Sequence, residues 1–329
     1  MPNVLLNQRT GKISIVVPAH NEEENLPVLV SRLENVLAPY QEFEILIIDD
    51  GSKDDTLYVL QQLSSLYHSV RYLSFSRNFG HQAALRAGFD HATGDCVICL
   101  DADLQHPPEL IPTLITQWEE GYDVVCAIRK ADPTLPLMKR KTSRWFYKFI
   151  RMVSDVNLEE GAADFRLLDR KVVDSLKQYK ETDLFLRGMI SWMGFRQSRV
   201  EYQPAQRYAG KSKYSFRKMF NLATMGITSF TTKPLYLSVV LGFGMFLFAL
   251  LFGAEVLYEK YFTANTVSGW TSIVLLIVLI GGIQFIMMGI IGIYLGKAFQ
   301  EVKHRPTYLI YESNLVDKVV SVETEAWNR

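Results

Sequence analysis

Two runs of this chain, residues 235–254 and residues 271–296, contain no charged side chain. An uncharged helix of twenty residues is about 30 Å long, the thickness of a bilayer's hydrocarbon core. Both runs are therefore expected to span a membrane. The link between them carries only Glu255, Glu259 and Lys260 as charged residues, so the two form a helical hairpin. Arg217, Lys218 and Lys233 precede it, and Lys297, Lys303 and Arg305 follow it. Positive flanks stay on the cytoplasmic side, which predicts a multi-pass protein of the cytoplasmic (inner) membrane with both termini inside. Neither span holds an ionisable residue at depth, which argues against a transporter or proton pump. Gly242, Gly244 and Gly253 in the first span, and Gly281, Gly282, Gly289 and Gly292 in the second, permit close helix packing.

The rest of the 329-residue chain reads as a water-facing domain. Its 35 basic and 35 acidic residues cancel, so nothing in the overall charge suggests a nucleic acid partner. Three cysteines, Cys96, Cys99 and Cys126, lie in apolar runs, an odd count that suits a reducing compartment. Cys96 and Cys99 are three apart on one strand and point to opposite faces, which spoils a zinc or redox pair. Residues 1–10 lack the pattern of a secretory leader, so this domain is expected in the cytosol.

Between residues 13 and 128, short β-rich runs alternate with amphipathic stretches, the pattern of βα units around a mostly parallel sheet. Strands are predicted at 13–19, 43–50, 70–76, 95–101 and 122–128, each apolar enough for burial on both faces. Ser52 and Asp55 suggest a capping box opening the second helix, and Gly94 suggests the end of the helix before the fourth strand. Domain limits follow: 1–215 for the α/β domain, 216–233 for a juxtamembrane amphipathic helix, 234–297 for two membrane helices at about 235–257 and 271–296, and 298–329 for a cytoplasmic tail with at most a strand pair. Within the first unit, residues 138–152 interleave Lys139, Arg140, Lys141, Arg144, Lys148 and Arg151 with Trp145, Phe146, Phe149 and Ile150. This reads as a helix lying in the membrane interface; the alternative is a helix docked on the domain with its charges solvated.

Ligands of open α/β sheets bind beyond the carboxyl ends of the strands. There the first strand ends in Pro18-Ala19-His20-Asn21-Glu22, the second in Asp49-Asp50-Gly51-Ser52 and the fourth in Asp101-Ala102-Asp103-Leu104-Gln105. No G-x-G-x-x-G follows the first strand. A diphosphate facing carboxylates instead of glycine amides needs a hard cation between them. Asp101, Asp103 and Gln105 offer oxygen ligands of the kind Mg²⁺ or Mn²⁺ takes. The competing reading is that these aspartates cap a helix ahead of Pro107 and Pro108.

The segments V-V-P-A-H-N-E-E-E-N-L, I-I-D-D-G-S-K-D-D-T and L-D-A-D-L-Q-H-P-P-E, with R-N-F-G-H at 77–81, G-A-A-D-F-R at 161–166 and R-Y-A-G-K-S-K-Y-S at 207–215, resemble the family 2 glycosyltransferases of GT-A fold. With two C-terminal apolar helices, the likeness is to polyprenyl-phosphate glycosyltransferases of the bactoprenol glucosyltransferase and dolichol-phosphate mannose synthase type. It covers nearly the whole chain and implies an inverting transfer of a hexose from a nucleotide sugar to a polyprenyl phosphate lipid at the bilayer, by an enzyme that assembles as a homo-oligomer, a tetramer. The two-helix architecture favours UDP-glucose as donor, with GDP-mannose, UDP-aminoarabinose and UDP-N-acetylhexosamine open.

By the same resemblance Pro18, Ala19, Asn21, Glu22 and Asp50 line the nucleotide pocket, with Asp50 towards the base or ribose. Asp101, Ala102, Asp103 and Gln105 surround metal and diphosphate. Asp164 takes the catalytic aspartate position together with Asp103, as a base or as an organiser. Asp164 is followed by Phe165 and Arg166, where the family often has an aromatic residue and then cysteine or glycine. The bland alternative for Asp164 is a turn carboxylate paired with Arg166. Arg129, Arg166, Arg207 and Lys213 are the cations for phosphate, and Gly210 suits a closing loop. His81 and His106 read as supporting or surface residues. Two rival classes are weighed. A non-catalytic membrane scaffold would be expected to have lost its acidic residues, and a processive polysaccharide synthase would carry a Q-x-x-R-W element that is missing here.

Overall fold

The computed structural model describes residues 11–130, 162–181, 185–203, 231–258, 262 and 269–315. The predicted interfacial helix at 138–152, most of the juxtamembrane helix, Arg207, Gly210 and Lys213 lie outside the described residues.

Four parallel strands form the heart of the sheet: β1 (Ile13–Ala19), β2 (Phe43–Asp49), β3 (Val70–Phe75) and β4 (Cys96–Cys99). All seven residues of β1 are buried, as expected of a strand covered on both faces. Pro18 is tolerated in this central strand because the β4 ladder stops at Val16–Cys99, short of it. Beyond β4 the sheet continues with β6 (Ala162–Asp169), β5 (Val124–Arg129) and β7 (Gln197–Tyr202), giving the order β7-β5-β6-β4-β1-β2-β3-β8. β6 is antiparallel to both β4 and β5, and the edge strand β8 (Ile310–Ser313) is antiparallel to β3.

Helices α1 (Leu26–Leu37), α2 (Thr56–Leu66) and α4 (Ile111–Glu119) cover one face, where Ile15, Val17 and Ile47 pack with Leu29, Leu33, Leu60 and Trp118. The other face carries α3 (His81–His91), α5 (Arg170–Lys177) and α6 (Leu186–Trp192), with Val16, Ile48 and Leu168 against Ala84, Phe89, Val172 and Met189. α3 lies so close to β1 that a Cβ on Gly88 would stand 2.2 Å from Val16 Cγ1. Cys96 belongs to the first layer and Cys99 to the second, as strand alternation requires.

Two local expectations are corrected. No side-chain hydrogen bond caps α2 from Asp55, and Ser52 instead accepts the backbone N–H of Asn21 at 2.9 Å. α3 ends at His91 with Ala92 as its cap; Gly94 lies beyond, where an added Cβ would sit 2.6 Å from both Lys12 O and Ser14 N. Its requirement is close approach to β1, not a helix stop.

Helices α7 (Lys233–Tyr258) and α8 (Trp270–Val302) are the apolar runs. They include 18- and 24-residue windows long and apolar enough to cross a membrane, and neither window is buried within the protein. Leu251 is 73% and Phe285 74% exposed, a degree of apolar exposure that water does not favour. A Cβ added to any of the seven span glycines named above would meet nothing within 4 Å among the described residues.

Candidate active site

The carboxyl ends of β1, β2 and β4 and the start of β6 form one rim. The β4–β6 ladder ends where Cys99 pairs with Arg166, and just beyond it Asp101 and Asp164 both approach His81 Nε2, at 3.6 and 3.1 Å. An antiparallel strand thus carries an acid 63 positions away to the acidic motif after β4. Cys99 Sγ donates to Asp164 O at 2.8 Å and ties the two segments where the ladder ends.

Asp164 is buried, with a relative exposure of 4%. Arg187, on α6, donates Nε to Oδ1 and Nη2 to Oδ2, both at 2.6 Å. His81 Nε2 lies 3.1 Å from Oδ2, and Arg166 Nη2 lies 3.6 Å from Oδ1. Burial alone would push the Asp164 carboxyl up, but the Arg187 guanidinium outweighs it and, with His81, holds the group well below the usual carboxylate range. Asp164 is a strand residue and not the turn carboxylate of the alternative reading, although the pairing with Arg166 which that reading expected is present. For His81, desolvation opposes the charged ring, but the hydrogen bond to Asp164 and the nearby Asp101 carboxylate raise its pKa. With 43% of its side chain exposed, solvent screens part of that effect.

Asp101 lies between two histidines. His81 Nε2 is 3.6 Å from Oδ1 and His106 Nδ1 is 3.6 Å from Oδ2, both beyond hydrogen-bonding distance. His106 is fully buried and stacks on Phe165 at 5.2 Å between ring centroids. Its Nδ1 receives the backbone N–H of Asp101 at 3.1 Å, fixing the course of the acidic loop, and burial lowers its pKa. Asp103 Oδ1 accepts the N–H of Gln105 at 3.1 Å across Leu104, which takes a left-handed φ of 61°. Neither aspartate caps the turn at Pro108–Leu110 that precedes α4, which has no side-chain cap. The capping alternative for the D-x-D segment therefore falls.

A divalent cation fits the chemistry of this rim. Asp101 Oδ1 is buried with no hydrogen-bond partner, a costly state for a carboxylate that a hard cation would relieve. Among the described residues no three His, Cys, Asp or Glu side chains converge in metal-holding geometry. The protein would then supply only part of a coordination shell, leaving positions for phosphate oxygens and water. Gln105 Oε1 stands 3.4 Å from Arg129 Nη2, and Arg129 Nε donates to Tyr202 Oη at 3.1 Å. Arg129 is thus held at the rim beside the acidic loop.

The residues expected around the nucleotide split into two groups. Pro18 and Ala19 at the end of β1, and Ala102 just after β4, are buried. Asn21 and Glu22 bind loops together: Asn21 Oδ1 accepts Lys53 N–H at 2.9 Å, and Glu22 N–H goes to Thr56 Oγ1 at 2.9 Å. Asp50 accepts Phe79 N–H at 2.6 Å and Gly80 N–H at 3.1 Å on Oδ1 and 3.0 Å on Oδ2. Its burial raises its pKa, partly offset by those two amides. Asp50 therefore sets the loop that delivers His81. Arg166, expected to meet phosphate, is buried behind Asp164 with 5% of its side chain exposed.

Arg187 was not legible in the sequence, since it belongs to no short motif and reaches Asp164 only through the packing of α6. His81 and His106 stand within quoted motifs, but their spacing alone does not reveal that one bridges two acids and the other braces a backbone.

The family described as Glycosyl transferase family 2 matches residues 14–177. The chain is 44% identical over 305 residues to the SfII prophage-derived bactoprenol glucosyl transferase of Shigella flexneri, covering 92% of this chain and 98% of that one. It is 42% identical over 301 residues to the uncharacterized glycosyltransferase YkcC of Bacillus subtilis (strain 168), covering 91% and 93%. Among solved structures, mannosyl-3-phosphoglycerate synthase from Rubrobacter xylanophilus is similar with a TM-score of 0.46 at 15% identity, covering 65% of this chain and 71% of that one. A match that leaves out so few residues must run from the acidic rim into the apolar helices, and at this identity the chain belongs to glycosyl transferase family 2 and is a glycosyltransferase.

Proposed function

We propose that this enzyme transfers a hexose, with glucose from UDP-glucose the first candidate, onto a polyprenyl phosphate at the cytoplasmic face of the membrane. The observation that carries the reading is the pairing, in one chain, of an acidic rim where a buried Asp101 oxygen has no hydrogen-bond partner with two helices whose apolar side chains are exposed. The bactoprenol glucosyl transferase named among its relatives supports the same acceptor and sugar.

A polyprenyl phosphate, like other phosphomonoesters with a second pKa of about 6, arrives largely dianionic at neutral pH and needs no strong base. Asp164, kept ionised by Arg187, suits an organiser better than a proton acceptor. Arg129, tethered by Tyr202 beside Gln105, is placed to meet the donor diphosphate, and Arg207 and Lys213 are proposed for the acceptor phosphate. Asp101 and Asp103 would hold Mg²⁺ or Mn²⁺, which when bound offsets the negative charge of the diphosphate. The phosphate oxygen attacks the anomeric carbon opposite the departing nucleoside diphosphate, in a single displacement that inverts configuration. α7 and α8 cross the bilayer as a hairpin and keep the rim at the depth of the lipid headgroup.

The test is a labelled-donor assay with undecaprenyl phosphate and purified protein, using UDP-glucose, UDP-aminoarabinose, UDP-N-acetylhexosamine and GDP-mannose, with and without chelator. Chelator-sensitive formation of a lipid-linked sugar of inverted configuration is expected. A product with the donor's anomeric configuration, or full activity in chelator, would overturn the mechanism.

A further inference from the structure

Asp164 is a buried acid of the rim, and protein groups already surround its carboxylate. Arg187 takes an edge of both oxygens in a fork, His81 takes Oδ2 and Arg166 stands near Oδ1. A two-pronged guanidinium grip fixes orientation as well as charge, which a lysine ammonium cannot do. Arg187 does not arrive by chance of a mobile side chain. The backbone N–H of Leu186 donates to Gln82 Oε1 at 3.2 Å, so α6 begins tied to the first turn of α3, next to His81. Leu186, Met189 and Ile190 then bury the inner face of α6 against the second core layer. Arg187 and His81 therefore reach Asp164 as one assembly, and His81 extends it to within 3.6 Å of Asp101 Oδ1.

We propose that Arg187 is a positioning residue of this glycosyltransferase, acting through Asp164: its fork sets the plane of the Asp164 carboxylate, which aligns His81 against Asp101. This rests on the placement of Asp164 at the reacting centre in the function proposed above. Arg187 need not touch either substrate, and its contribution vanishes when Asp164 cannot receive the fork.

A double-mutant cycle on the full-length protein in detergent tests this, with released nucleoside diphosphate as the readout, measured with and without undecaprenyl phosphate. Arg187→Lys, which keeps the charge and loses the fork, is expected to lower kcat about 100-fold while leaving the donor KM nearly unchanged. In an Asp164→Asn background the same substitution is expected to cost nothing further, because the two residues act as a unit. Arg187→Ala should regain part of its activity in added guanidinium at concentrations that leave the wild type unaffected, a rescue that a purely structural role would not produce. Should Arg187→Ala not fold, the lysine variant and the Asp164→Asn pair decide the matter, with a melting curve for each, since lysine keeps the charge at 187 and asparagine keeps the side-chain shape at 164. Losses that multiply in the double variant, or an Arg187→Lys enzyme with normal kcat, overturn the proposal. Wild-type release that the lipid phosphate does not stimulate counts against the acceptor assignment alone and leaves the cycle readable.

Discussion

The hydroxyl of Tyr72 donates to Glu312 Oε1 at 2.7 Å, joining residues 240 positions apart across the ladder between β3 and β8. Gln61 Nε2 binds the same oxygen at 2.7 Å, and Asn314 Oδ1 accepts the Tyr72 N–H at 2.7 Å. Tyr308 stacks on Phe75 at 5.1 Å between ring centroids just ahead of the strand. The chain thus leaves the catalytic sheet, forms both apolar helices and returns to cover the β3 edge.

Tyr72→Phe is accordingly expected to lower stability by about 1 kcal/mol, the net worth of one such hydrogen bond. Loss of residues 306–315 should cost more and expose the β3 amides. Hydrogen exchange of β3 in detergent is the measurement, and unchanged protection after the deletion would refute the role assigned to β8.

Asp101→Asn and Asp103→Asn are expected to abolish divalent-ion-supported turnover and leave the fold intact, because each removes a carboxylate while keeping side-chain shape. Activity against Mn²⁺ concentration, with a melting curve for each variant, checks this. Full activity in either variant would remove that residue from the metal site.

Lys213→Ala is expected to raise the KM for the lipid acceptor or lower kcat, with binding of the sugar nucleotide little changed. Steady-state kinetics with the two substrates varied in turn separate these effects. Unchanged kinetics would retire Lys213 as a phosphate contact.

At the opposite end of the sheet, Glu44 is 4% exposed and accepts from Ser14 Oγ at 2.5 Å, from Thr93 N and Oγ1 at 2.8 Å, and from Lys12 Nζ at 3.2 Å. Burial pushes its carboxyl up, but these hydrogen bonds and the Lys12 ammonium outweigh it and hold the pKa below the ordinary value. A carboxyl depressed in the folded state adds stability above its unfolded pKa and loses it as pH falls through the folded one. The melting temperature should therefore drop as the medium is acidified below about pH 4.3, the unperturbed glutamate value. Ser14→Ala should cost about 1–3 kcal/mol at neutral pH, since the Gly94 N–H that Ser14 Oγ accepts at 2.7 Å loses its partner too. Glu44→Gln should flatten the acid slope, as calorimetry across pH would report.

Gly51 takes a φ of +59°, and a Cβ there would lie 2.3 Å from the carbonyl carbon of Arg77. Backbone cannot yield as a side-chain tip does. Gly51→Ala is expected to displace the 77–80 loop that Asp50 holds, lowering kcat more than it lowers the melting temperature. Equal kinetics with an equal melt would contradict that placement.

Much of this was legible in one dimension. The bounds predicted for β1 agree with the structure, and β2 and β3 extend to within one residue of theirs, because apolar runs buried on both faces have no other stable setting. The uncharged helices and the acidic segments after β1, β2 and β4 were equally plain, since charge and hydrophobic length act locally. Neither the β4–β6 pairing, which brings Asp164 to the acidic segment after β4, nor the approach of Arg187 from α6 could be read that way. Pairing an antiparallel strand and docking a helix depend on how separate apolar faces pack together, a property of the whole assembled core that no spacing along the chain encodes. Which acids belong to this enzyme was written in its sequence; which of them is clamped, and by what, was decided only when α3, α6 and β6 met.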